Sequence, residues 1–298
     1  MSVLLNYVAV ILIWSTTPLA IKVSSASVSP FAAILYRMAI AFFLAAAVIA
    51  VWKNSSALKS KNWKVYVAAG MGIFPNMTLV YLASNFISSG LMAVLFALTP
   101  ITSGLLAAVL LKENYFTPGK LLAFIFAIIG LVLIFVDQLQ FGNNAIYGIV
   151  LMLGSGLIFS FSQVLLKYLQ ITHKINAFEQ TFGALAFALP GLLISWILFD
   201  NKNHVVLSDI GIYAIIYLSV IGSLIGFAAY FFVLSHLSVS VVSLIPLITP
   251  VLALYWGALL LNEPLSDYIA LGTACIVVAL ILYDELLIAL KKVIFKRG

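Results

Sequence analysis

Arg37 is the charge that falls clearly inside an apolar run of this sequence, between "FAAILY" and "MAIAFFLAAAVIAV". Counted from Phe31, it lies about 9 Å along a helix axis at 1.5 Å per residue. A guanidinium at such a depth in hydrocarbon costs roughly 2–3 kcal/mol on insertion scales and marks a functional position by default. Two chemistries suit it. It can hold the carboxylate of a solute, or it can snorkel toward a membrane face, bonding helix-end carbonyls or pairing with Asp137. Aromatic side chains offer the complementary chemistry. Trp14, Tyr36, Tyr81, Tyr230, Tyr255 and Trp256 present π faces that suit a flat or cationic solute. Trp52, Trp63 and Trp196 lie near the ends of apolar runs and read as interface anchors, whereas Trp14 and Trp256 lie deeper. With the mid-run amides Asn76 and Gln163, the candidate substrate-binding set is Trp14, Tyr36, Arg37, Asn76, Tyr81, Gln163, Tyr230 and Trp256.

A second set concerns movement. "LFALTPITSGLLAAVLLKE" (Leu95 to Glu113) and "IPLITPVLALYWGALLLNE" (Ile245 to Glu263) lie 150 positions apart and align without a gap. Thr99-Pro100 matches Thr249-Pro250, and Glu113 matches Glu263; Gly72/Gly222 and Ser88/Ser238 follow the same offset. A proline inside a helix removes a backbone hydrogen bond and kinks it. Pro18, Pro75, Pro100 and Pro250 are therefore hinge candidates, or static kinks held by packing. Glu113 and Glu263 read as repeat-related structural or gating residues.

Other chemistries find no residues. There is no HExxH, no paired mid-run aspartate, no GxSxG and no nucleotide-binding loop. His173, His204 and His236 are isolated, so no metal site is expected, and no cofactor. Cys275 is the single cysteine, which excludes an internal disulfide. Asn176 and Glu179 resemble a helix-capping pair rather than a proton carrier. The expectation is a protein that is not an enzyme.

What must position such residues is set by composition. Hydrophobic residues make up 64% and charged residues 8%. A soluble domain is nearer half apolar and a quarter charged, so the solvent is lipid. Apolar runs of roughly 20 residues read as spanning helices; they lack the alternation of barrel strands. Ten spans are predicted, at approximately 4–23, 31–52, 64–86, 89–111, 119–136, 146–168, 177–199, 209–234, 239–261 and 266–286. The first reads as a retained span, not a signal peptide. The basic residues Lys53, Lys59, Lys61, Lys64, Lys112, Lys120, Lys167, Lys174, Lys291, Lys292, Lys296 and Arg297 then share one side, and only Lys22 and Lys202 the other. By the positive-inside rule both termini face the cytoplasm, and the membrane is the inner (cytoplasmic) one. The net charge of +6 is thus a membrane signature, and no nucleic-acid partner is expected.

The 150-residue offset separates spans four and nine, so the repeat unit is five spans. An odd unit re-enters from the opposite face, which makes the halves, 1–140 and 141–298, inverted repeats with a binding site between them. Polar residues concentrate in spans one, three, four, six, eight and nine, which are expected to line a central cavity. Single Ser, Thr and Gly residues also have a plainer role in helix packing. Spans five and ten have almost nothing polar, and read as outer scaffold or the contact of a homodimer.

Ile13-Trp14-Ser15 and Lys22 in span one, Arg37 in span two, and "LTPITSGLLAAVLLKE" and "ITPVLALYWGALLLNE" closing spans four and nine resemble the drug/metabolite transporter superfamily, specifically its EamA-type members. Those members typically have Trp-Gly where this chain has Trp14-Ser15. The resemblance implies a ten-helix secondary transporter of a small organic solute, an exporter of amino acids or related metabolites, working by alternating access. Two alternatives stand beside it: a carrier of an organic cation such as a quaternary amine, using the aromatic set, and a lipid translocase.

Overall fold

The computed structural model of the chain describes residues 2–51, 60–110, 118–139, 144–173, 175–200, 208–242, 245–263 and 266–282. The described residues are helical throughout, with short turns between helices. The helices are α1 (Val3–Ser27), α2 (Pro30–Val51), α3 (Trp63–Met71), α4 (Asn76–Ala83), α5 (Ser89–Phe96), α6 (Thr99–Leu110), α7 (Pro118–Leu139), α8 (Asn144–Gln170), α9 (Ala177–Phe199), α10 (Asp209–Tyr217), a π-helical segment (Leu218–Ile225), α11 (Gly226–His236), α12 (Val239–Val242), α13 (Ile245–Leu261) and α14 (Asp267–Leu282). Among the described residues, seven helical stretches are long and apolar enough to cross a membrane: Val3–Ser27, Pro30–Val51, Trp63–Ala83, Ser89–Leu110, Asn144–Gln170, Ala177–Phe199 and Asp209–His236. Two shorter apolar helices, Leu252–Leu261 and Asp267–Ala279, follow.

Helix starts obey local chemistry. The hydroxyls of Ser2, Ser88 and Ser208 accept from the N–H groups of Leu5, Leu91 and Gly211 at 3.2, 3.2 and 3.1 Å. The Asn176 side chain accepts from Phe178 N at 2.8 Å, so Asn176 is a cap, as its sequence setting suggests. These side chains satisfy N–H groups that a helix start otherwise leaves open.

The structure corrects two of the expected continuous spans. The third is broken between Met71 and Asn76, where Pro75 supplies no N–H. There the turn closes through Ile73 N and Phe74 N donating to Gly70 O, both at 2.8 Å. The fourth is broken at Ala97-Leu98, ahead of Pro100. Pro100 cannot donate to the Phe96 carbonyl four residues back, and the Thr99 hydroxyl donates to it instead at 2.8 Å. The same substitution recurs in α13, where Thr249 Oγ1 donates at 3.2 Å to the Pro246 carbonyl that Pro250 leaves open. This is what the repeated Thr-Pro does: the proline frees a carbonyl, and the threonine before it covers that carbonyl.

Packing places α1 at the centre, against α5, α10, α11 and α13, while α8 packs against α3, α4, α5 and α6. α2 and α9 pack on each other at one flank; α7 and α14 pair extensively. Ile125, Ile128, Ile129 and Val132 on α7 and Leu271 and Ile281 on α14 face outward. Polar side chains such as Ser15, Asn76, Ser103, Ser155, Gln163 and Ser219 are buried between the central helices.

Candidate solute-binding site

The central helices frame a half-open cavity of about 60 Å³, lined by Trp14, Thr17, Pro18 and Ile21 of α1, Arg37 of α2, Met77 and Val80 of α4, Met92, Ala93 and Phe96 of α5, Met152 and Phe159 of α8, Phe227 of α11 and Thr249 of α13. Its floor is aromatic. The Trp14 ring lies 5.0 Å from Tyr230 and 5.9 Å edge-on from Phe159, and Phe159 lies 5.0 Å from Phe96. Pairs at these separations contribute about 0.5–1.5 kcal/mol each beyond area burial, so the cluster is a firm surface. The walls are mostly apolar, and three methionines make them adaptable.

Arg37 is the exception in that lining. It is 1% exposed. Its Nε donates to Ser223 Oγ at 2.8 Å, and its Nη1 reaches the Tyr81 hydroxyl at 3.5 Å. Among the described residues no carboxylate lies within ion-pair distance of it. Side-chain direction explains how it fits. Ser223 stands in the π-helical segment, whose wider turn presents it toward α2. Gly222 beside it carries no Cβ; one there would sit 3.3 Å from Nη2. A buried charge costs several kcal/mol unless its donors find partners, and among the described residues two contacts serve its five N–H groups.

A polar latch joins α1, the start of α5 and the end of α13. The Glu263 carboxylate accepts from Ser89 N at 2.9 Å, Ser89 Oγ at 2.8 Å and Gly90 N at 3.2 Å, at the start of α5. Lys22 Nζ donates to Ile87 O at 2.8 Å and lies 3.9 Å from Glu263. Asn262 makes this possible: its φ of 50° turns the chain back at the end of α13, and Glu263 N donates to Gly257 O at 3.2 Å. Lys22 follows Ile21 of the lining, and Ser89 precedes Met92 by one turn, so the latch lies next to the cavity in the chain without lining it.

The predicted residues divide accordingly. Trp14 and Arg37 line the cavity with Pro18, while Tyr81 and Tyr230 stand directly behind them. Tyr36 does not line it: it is 40% exposed on the outside of α2, because a neighbour in a helix points about 100° away from Arg37. Trp256 does not line it either. It is two turns beyond Thr249 on α13 and packs edge-on with Tyr255 at 5.2 Å. Asn76 and Gln163 are buried in helix contacts: Asn76 donates to Gly72 O at 2.8 Å and accepts from Ser155, and Gln163 accepts from Ser103 at 2.8 Å. Pro75 precedes α4, and Pro100 and Pro250 lie at the start of α6 and within α13. Glu113 lies outside the described residues, and so does the side chain of Asp137.

Three residues were hidden in the sequence. Phe96, Phe159 and Phe227 look like ordinary lipid-facing phenylalanines. The signal for Phe159 is its helical face, shared with Ser155, Ser162 and Gln163 at spacings of three and four. Phe96 similarly stands one turn before Thr99.

The model of the EamA-like transporter family matches residues 1–136 and again 146–283, and the chain belongs to that family. An uncharacterized transporter of Archaeoglobus fulgidus is 30% identical over 273 residues, which cover 90% of this chain and 93% of that one. The uncharacterized transporter YoaV of Bacillus subtilis is 26% identical, over 92% of this chain and 94% of its own. A solved crystal structure with 20% identity superposes with a TM-score of 0.70, covering 96% of this chain and 98% of that one, and so shares its fold. The protein is a multi-pass membrane transporter.

Proposed function

We propose that the chain is a secondary transporter of a small organic metabolite, an exporter of amino acids or related compounds, working by alternating access in the cytoplasmic membrane. The observation that carries this reading is the central cavity: a buried guanidinium and an aromatic floor, with a latch next to it in the chain that bridges α1, α5 and the end of α13. A cavity of about 60 Å³ holds water, whereas a solute the size of benzene needs about 150 Å³. The helices around the cavity therefore part to admit a solute, and the Glu263 latch is the contact that gives way.

Ten spans in two inverted halves are part of the proposal. Supporting it, the family model matches the chain twice, once in each half. The packing also has a five-span echo: α1 against α13 parallels α8 against α6, and α2 against the π segment parallels α9 against α3. Lys22 donates to Ile87 O, and Lys167 donates to Leu237 O at 2.8 Å, acceptors separated by the same 150-residue offset. Inverted halves can exchange conformations, which opens one site to each side in turn. The basic-residue asymmetry supports a cytoplasmic location for both termini.

The test is uptake by purified protein in proteoliposomes, across amino acids, their deaminated acids, amines and sugars, with and without a proton gradient. Saturable uptake of at least one class supports the reading. Uptake equal to protein-free vesicles for the whole panel overturns it.

A further inference from the structure

Resting on that reading of the cavity, we propose that its ligand is an apolar-bodied monocarboxylate, that the carboxylate is the group recognised, and that an α-ammonium is dispensable. Arg37 brings five N–H groups to the site. Nε is committed to Ser223, and one Nη1 donor is directed at Tyr81 at the long distance of 3.5 Å. Among the described residues Nη2 has no acceptor, and no carboxylate neutralises the charge. Ser223 and Tyr81 hold the guanidinium from two sides, which leaves a preset fork for a planar, singly charged acid.

The rest of the lining fixes the remainder of the ligand. Among the described residues no acidic side chain lines the cavity. Its hydroxyls are committed: Thr17 Oγ1 donates to Ile13 O at 2.9 Å and Thr249 Oγ1 to Pro246 O at 3.2 Å. An ammonium group would meet π faces, thioethers and the acceptor lone pairs of these two hydroxyls, with no carboxylate to neutralise it among the described lining residues, at the cost of standing near a guanidinium. A quaternary amine is disfavoured for the same reason: the aromatic floor that would attract it shares its cavity with a fixed positive charge. A dianion is poorly matched as well, because Lys22, which does not line the cavity, is engaged with Ile87 O and Glu263. The apolar walls take the hydrocarbon body.

The experiment uses three compounds that differ by one group each: leucine, 4-methylpentanoate (leucine without its ammonium) and 3-methylbutylamine (leucine without its carboxylate). Their affinities for the purified full-length protein in detergent are measured calorimetrically at neutral pH and constant ionic strength. The acid is expected to bind within about tenfold of leucine, and the amine about 10- to 150-fold more weakly than the acid, which is the range of a charge-assisted hydrogen bond converted to a ratio. Arg37→Gln should abolish the preference of acid over amine. Arg37→Lys keeps the charge without the fork, and should keep the preference while weakening the acid about tenfold; it serves where Arg37→Gln does not fold. The wild-type comparison decides without either variant. An amine that binds as tightly as the acid overturns the proposal, as does leucine binding far more than tenfold tighter than the acid, or binding of none of the three. Acid binding without vesicle uptake would defeat the transport reading and leave the site; uptake of the amine without the acid would do the reverse.

Discussion

Glu263→Gln separates a gate from a helix cap. The wild-type carboxylate accepts three hydrogen bonds from Ser89 and Gly90, all from the first residues of α5. In the glutamine variant one oxygen becomes an amide nitrogen, so at least one of those donors faces another donor. The bonds that survive lose their charge assistance, about 1 kcal/mol each on going from a charged to a neutral acceptor. Two surviving bonds lose about 2 kcal/mol together and the third is lost outright at about 1.5–3 kcal/mol, a total of about 3.5–5 kcal/mol, or a preference for the latched form smaller by roughly a few hundred- to a few thousand-fold. The Lys22 contact adds little: at 3.9 Å, with the lysine 34% exposed, it belongs with surface pairs contributing about 0–1 kcal/mol. Lys22→Met is therefore the milder change. The assay is the labelling rate of Met92→Cys, a cavity-lining position, in a background with Cys275→Ala. A membrane-impermeant thiol reagent should label it at least tenfold faster when Glu263 is glutamine. Unchanged labelling, with a lowered melting temperature, would make the contact a structural cap and refute the gating role. A larger effect from Lys22→Met than from Glu263→Gln would refute the assignment of energies.

Thr99→Val and Thr249→Val should each cost about 1–3 kcal/mol in thermal unfolding, because a buried carbonyl loses its donor, while Thr→Ser at either position should restore most of it; equal stability of valine and serine variants would contradict the carbonyl-covering role. Ser223→Ala should lower stability by about 1.5–3 kcal/mol through the lost acceptor of Arg37 Nε, read as a fall in melting temperature relieved by a carboxylate ligand. Reporter fusions at Gly298 and between Asn143 and Asn144 should report opposite sides of the membrane, and the same side for both would exclude an odd repeat unit.

Composition and run length alone made the helical membrane class legible, because the bilayer admits few alternatives. The helices fall on the predicted runs, but their interruptions were less visible. Pro75 and Pro100 announced that hydrogen bonds would be lost, but not that the breaks fall between Met71 and Asn76 and at Ala97-Leu98. The π segment left no periodic mark, and Gly222 was its sole hint. In the site, Arg37 stood out because charge in an apolar run is rare. Tyr36 stands on the exposed outside of α2, about 100° round the helix from Arg37, and nothing in the sequence chooses between the two faces. Asn76 and Gln163 were ambiguous for an energetic reason: amides in a low-dielectric core suit a ligand or helix-to-helix hydrogen bonds, and the structure gives them bonds from Ser155 and Ser103. The phenylalanines were invisible because a ring that lines a cavity and one that faces lipid have the same composition.

Counterflow in proteoliposomes tests the alternating-access claim most directly. Vesicles are loaded with unlabelled leucine or 4-methylpentanoate and diluted into a trace of the same labelled compound. A carrier that returns to one side only after visiting the other predicts a transient accumulation of label above its external concentration, which dissipates as the gradients equalise. The account predicts that overshoot, and predicts that it disappears with Arg37→Gln. Labelled solute that rises only to the external concentration, with no overshoot at any loading, would contradict it.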